Sequence, residues 1–202
     1  MTTSISKWEA AYERFETPAQ EIAKFRARLK KLGADRWPRD AQIVEIFCGR
    51  GNGLHALAEM GFTNLEGVDL SANLVSRYQG PAKMYVADCR TMPFEDATRD
   101  VLIVQGGLHH LPDLLPDLDR ALAESRRVLK PGGMFVAVEP WLTSFLRFVH
   151  AVARNRVVRA TSAKMDAFQT MVENEQETYD RWLSHPAEIE SLLNKHFTLR
   201  FR

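Results

Sequence analysis

From residue 42 to residue 140 the chain alternates short apolar runs with stretches of helical period, and this alternation restricts its fold more than any other feature. "QIVEIF", "LEGVDL", "KMYVAD", "DVLIVQ" and "MFVAVEP" read as strands. "LHALAEMG", "SANLVSRYQ" and "PDLDRALAESRRVL" read as helices, the last with Leu118, Leu122, Ser125 and Leu129 on one face. Strands without a solvated face must be covered on both sides, and a parallel sheet with crossover helices does this. The fold class is therefore α/β.

The flanking segments are read in the same way. Thr17, Pro18 and Gln20 make a capping box with proline in the first turn, and Gly33 is the stop signal. Ile22, Phe25, Leu29 and Leu32 form the apolar stripe of that helix, and its basic residues read as a solvated face. After Pro140 the character changes. Residues 141–164 carry Arg147, Arg154, Arg156, Arg159 and Lys164 and no acid, whereas residues 165–190 carry seven acids and one base. "AEIESLLNKH" reads as a helix and "FTLRFR" as a last strand. One domain of 202 residues is expected, in four parts: an N-terminal helical cap (1–40), a core (41–140), an insertion (141–182), and a last helix and strand (183–202).

Composition narrows the class of function. A net charge of +1 gives no reason to expect nucleic acid. Two cysteines make a disulfide framework improbable. No apolar run reaches the ~20 residues of a membrane span and no signal peptide is evident, so a cytoplasmic, soluble protein is expected. No cluster has metal-ligand spacing, and no metal is expected.

The chemistry is concentrated in "VEIFCGRGNGL", where Gly49, Gly51 and Gly53 lie between a strand and a helix. Glycines there let a ligand approach the backbone without meeting a Cβ. The dinucleotide pattern G-x-G-x-x-G fails, since Leu54 stands at its third glycine, and no G-K-[ST] follows for a P-loop. Glu45 in the first strand, Asp69 at the end of the second and Asp88 at the end of the third make an acidic rim at the strands' carboxyl ends, where α/β sheets bind ligands.

Those residues carry a resemblance. "VEIFCGRGNG", "GVDLS", "YVADCRTMPF", "DVLIVQGGLHHLPD" and "RVLKPGGMFVAVEP" are similar, in order and spacing, to the motifs of class I S-adenosylmethionine-dependent methyltransferases of the type 11 group. The resemblance implies a Rossmann-like, doubly wound, mostly parallel sheet with helices on both faces, and S-adenosylmethionine as cofactor. Under it, Gly49, Gly51 and Gly53 pass beneath the methionine part, and Glu45 anchors the loop or the amino group. Asp69 would hold the ribose and Leu70 the adenine. Asp88 would take the adenine amino group beside Cys89, while Gln105 and Gly106 face the methionine end. Tyr12 is either an aromatic over the cofactor or a packing residue. Two departures are plain: Glu45 replaces the usual aspartate, and Phe47 replaces a glycine.

His109 and His110 fall where methyl group and acceptor should meet. Each is a candidate general base, the other reading being that one caps the loop and one packs. Trp141, Phe145, Phe148, Val149 and Val152 share a helical face, which suits a lid, a packed helix or a dimer face. As a lid it would favour a small anionic or amphiphilic acceptor. A catalytically silent binding subunit and a nicotinamide oxidoreductase are the rival readings. The family's sheet ends with a hairpin, and here "HFTLRFR" supplies only its first strand. Lower stability than a version with the hairpin, or pairing through the open edge as a symmetric homodimer, is expected.

Overall fold

A computed structural model of the chain describes residues 17–141, 173 and 175–200. The chain divides into two units: Ile22–Glu139 with His185–Arg202, and Met1–Glu21 with Pro140–Ser184. Tyr12 and residues 142–172 and 174 of the expected lid lie outside the described residues.

The larger unit is built on five strands: β1 (Gln42–Ile46), β2 (Asn64–Asp69), β3 (Lys83–Val86), β4 (Arg99–Gln105) and β5 (Leu129–Val138). Their order is β3-β2-β1-β4-β5, and every neighbouring pair is parallel. Ile43 is level with Leu65 on one side and Val101 on the other. Strand side chains alternate between faces, yet Ile43, Val44, Ile46, Leu102, Ile103 and Val104 are all fully buried. The apolar runs have this cause, since neither face of the central strands meets water.

The first helix, α1 (Pro18–Lys31), opens as its sequence requires. The Gln20 amide accepts from Thr17 N at 3.0 Å, and Gln20 N donates to Thr17 Oγ1 at 3.3 Å, which closes the capping box. Leu29 joins one apolar cluster with Leu54, Ala56 and Leu57 of α2 (Asn52–Glu59) and Ile43, Val101 and Ile103 of the sheet. The helix α3 (Ala72–Val75) is a single turn capped by Ser71, whose hydroxyl accepts from Leu74 N. It is shorter than "SANLVSRYQ" suggests, because Tyr78 turns back to accept a hydrogen bond from Ala82 N at 3.2 Å. Next, α4 (Leu114–Val128) buries Leu114, Leu118, Ala121, Leu122, Ser125 and Val128.

After α5 (Pro186–His196) the expected last strand does not form in residues 197–200. Phe197 N is used by the helix end, donating to Leu193 O at 2.8 Å. Its ring stacks on Phe135 of β5 at 5.0 Å. The backbone N–H is thus committed to the helix end and the ring to β5. Among the described residues, no strand pairs with the outer edge of β5. In the smaller unit, residues 175–183 are helical and the buried Trp182 indole donates to Pro140 O at 3.1 Å.

Candidate active site

The order β3-β2-β1-β4-β5 places a reversal between β1 and β4, and a crevice opens there at the strands' carboxyl ends. The loop from β1 into α2 forms one wall. Gly49 has φ 51° and Gly51 φ 76°, both in the left-handed region. The loop glycines nevertheless serve different ends. A Cβ on Gly51 would run into the Tyr78 ring, and one on Gly53 into the Glu45 carboxylate. Those two glycines admit the protein's own side chains. At Gly49 the nearest neighbour of an added Cβ is Leu74 Cδ1 at 4.0 Å, and at Gly106, with φ 76°, nothing lies within 4 Å. These two leave bare backbone open to a ligand.

The acids are equally divided in role. Asp69 ends β2 and accepts from Gly49 N and Ser71 N, each at 2.8 Å, so it ties the glycine loop to the next one. A carboxylate has roughly four acceptor positions, and two remain for hydroxyl groups. Glu45 is buried and accepts from the Gln105 amide at 2.9 Å. Gln105 in turn accepts from Arg28 at 3.2 Å, so a polar chain links α1, β4 and β1 beneath the crevice. Leu70 is 64% exposed, an apolar surface at the same edge.

Asp88 is already engaged. Its two oxygens accept from Arg90 Nε and Nη2, and Arg90 Nη1 reaches Asp117 at 2.6 Å. The Arg90 guanidinium holds the Asp88 carboxyl below the usual range. Cys89 and Cys48 are buried. Burial, with the Asp88 charge second, pushes the Cys89 thiol up to about 12. Cys48 is pushed up by burial and then by Glu45 and Asp69.

The second wall is the loop after β4. Gly107 N and Leu108 N donate to Glu139 Oε1 at 2.9 and 2.8 Å, and His109 Nδ1 lies 2.8 Å from Glu139 Oε2. His109 is buried, and its ring centroid lies 4.0 Å from that of the exposed His110. Sequence reasoning passed over Glu139, although an acid ending β5 repeats the pattern of Asp69 and Asp88. Glu45 is thus tied to Gln105, which Gly106 follows, and Gly49 to Asp69, around the ends of β1, β2 and β4, whereas Asp88 and Cys89 belong to a second cluster around Arg90. The openness at Gly49 and Gly106 and the spare acceptor positions of Asp69 fit a nucleoside bearing an amino-acid tail. Among the described residues, no group of three or more His, Cys, Asp or Glu is placed to hold a metal. No helix among them is long and apolar enough to cross a membrane.

Comparison with known proteins shows what the chain is similar to. Residues 44–137 match the family model described as "Methyltransferase domain". A ubiquinone/menaquinone biosynthesis C-methyltransferase, UbiE, of Geotalea daltonii is 30% identical over 71% of this chain and 68% of its own. A sterol 4-C-methyltransferase of Caenorhabditis elegans is 29% identical, over 69% of this chain and 44% of its own. The chain spans under half the length, 42% to 46%, of this and two bacterial demethylmenaquinone methyltransferases. Among solved structures, the S-adenosylmethionine-bound amino pentose methyltransferase CalS10 of Micromonospora echinaspora superposes with a TM-score of 0.53 at 25% identity, covering 67% of this chain and 56% of that one.

Proposed function

Since the chain belongs to the S-adenosylmethionine-dependent methyltransferases, we propose that it transfers a methyl group from that cofactor to a small amphiphilic acceptor. The observation that carries the reading is the pairing of Asp69 with Gly49, an acid with spare acceptor positions fastened to a half-buried glycine with room at its Cα, beside the reversal of strand order. When bound, the cofactor supplies a methyl group already activated by its sulfonium for in-line displacement. The chain's own part is to orient and to exclude water.

Gly49, Gly51 and Gly53 would support the methionine end, with Gln105 and Gly106 opposite them. Glu45 would act through the loop it braces rather than by touching the ligand, since it is held by Gln105 and packed on Gly53. Asp69 would accept the ribose hydroxyls. Leu70 would cover the adenine, and Asp88 and Cys89 would border it. Of the two histidines, exposed His110 is the better placed to take a proton from an acceptor, and His109 to hold the loop. Acceptor recognition is assigned to residues 141–182. The names of the curated relatives make a sterol-like or quinone-like carbon acceptor the first to test.

The test is calorimetric titration with S-adenosylmethionine, followed by transfer of labelled methyl groups into candidate acceptors and metabolite pools. Saturable binding and incorporation are expected. Absence of binding by the intact chain overturns the reading.

A further inference from the structure

Phe47 stands at the mouth of the crevice in a conformation that phenylalanine rarely adopts. Its φ is 54°, the left-handed region, which is strained for a side-chain-bearing L-residue. Such a residue persists only where its surroundings over-determine it. Here the surroundings are on the other wall. A Cβ built on Gly107 would overlap the Cβ, Cγ and Cδ2 of Phe47, so the missing side chain at 107 is the seat of the ring. Gly107 itself is held by the Glu139 carboxylate through its N–H. The Phe47 ring therefore bridges from the β1 loop to the β4 loop, across the gap where strand order reverses. It is half-buried and keeps part of its surface toward solvent.

Glycine at this position would leave the gap open, and the conformation is one that glycine adopts without cost. The ring instead fills the place of a side chain at Gly107, one residue beyond the bare Gly106, and is carried two residues before the bare Gly49. From these contacts we infer that Phe47 is a gate: its ring, seated on Gly107, closes the β1–β4 crevice and must swing off before the methionine end of S-adenosylmethionine can enter. The inference rests on the cofactor assignment above. Rotation about χ1 would carry Cγ and the ring off Gly107 while the Cβ and backbone stay in place. It costs the contact with Gly107, so the open form is the minor one. Apparent affinity falls by the fraction of molecules that are open, and an open population of about 1–10% lowers it roughly ten- to hundred-fold.

The experiment compares the full chain with Phe47→Gly and Phe47→Asn. Both replacements remove the ring, and both residues tolerate positive φ, so one remains informative if the other folds poorly; thermal melting checks each. Titration with S-adenosylmethionine and its demethylated product, and stopped-flow association, are the readouts. Tightening of roughly ten-fold or more in both variants, with faster association, is expected. Binding by the variants alone supports the gate most strongly. Equal or weaker binding in folded variants, with binding intact in the parent chain, overturns the gate and leaves the cofactor assignment standing. Binding in none of the three overturns both.

Discussion

At the scale of the residue, Asp69 combines two duties. It holds two backbone N–H groups and keeps acceptor capacity for a ligand. Asp69→Ala strands both amides, so a loss of about 1–3 kcal/mol in stability is expected, with weaker cofactor binding beside it. Melting and calorimetry on the same preparation measure the two; a variant unchanged in both removes Asp69 from the site. Gly53 makes a sharper case. Gly53→Ala drives a methyl group into the Glu45 carboxylate, and overpacking there should cost about 1–3 kcal/mol although alanine favours the helix. The cysteines give a third prediction. Both thiols are buried and held protonated, so a thiol reagent at pH 8 should titrate close to none in the native protein and two after denaturation. Rapid modification of the folded chain would contradict this.

At the scale of the element, the loop after β4 owes its shape to the end of β5. One carboxylate, Glu139, gathers two consecutive backbone N–H groups and the His109 ring. Replacing it by alanine frees all three. The expectation is a large fall in turnover with a smaller fall in cofactor affinity, because the wall is loosened while the Gly49–Asp69 contact stays. Comparing kcat with the cofactor KM reads this out. The histidines should separate. His109→Ala should lower the melting temperature, whereas His110→Ala should leave it near the parent value and reduce turnover about 10²-fold if His110 takes the acceptor's proton. Normal turnover in His110→Ala removes that residue from the chemistry.

At the scale of the whole molecule, ion pairs between loops and helices make stability depend on pH. Asp88 is lowered by Arg90. In Asp117, burial pushes the pKa up, but the Asp113 N–H and Arg90 outweigh it. Glu124 is lowered chiefly by Arg127. Groups depressed in the folded state stabilise it above their unfolded values, about 3.9 for Asp and 4.3 for Glu. That stability should be fully present near neutrality and be lost as pH falls from about 4.5 through the folded values. Melting curves between pH 7 and pH 3 test the sign; constant stability across that window would contradict it. The outer edge of β5 presents backbone groups that no described strand covers. Sedimentation over a range of concentrations shows whether a second copy pairs there, as expected of a symmetric dimer, or whether the chain remains a monomer.

Local rules were enough for much of this chain. The sheet was legible because buried strands must be apolar on both faces, and the first helix because its capping box is made by neighbours three residues apart. The nearness of Asp69 and Glu45 to the glycine loop was legible, since strand ends in a parallel sheet fall at one edge. What lay beyond sequence was which partner each polar group takes. Whether Gly53 opens to a ligand or to Glu45, whether Asp88 faces an adenine or Arg90, and that Phe47 seats on Gly107 are matters of contacts between residues distant along the chain. The fate of "FTLR" was decided in the same way, because the Phe135 ring competed with a strand for Phe197. Periodicity and spacing report which face a residue occupies; only the packed structure chooses the neighbour that meets it there.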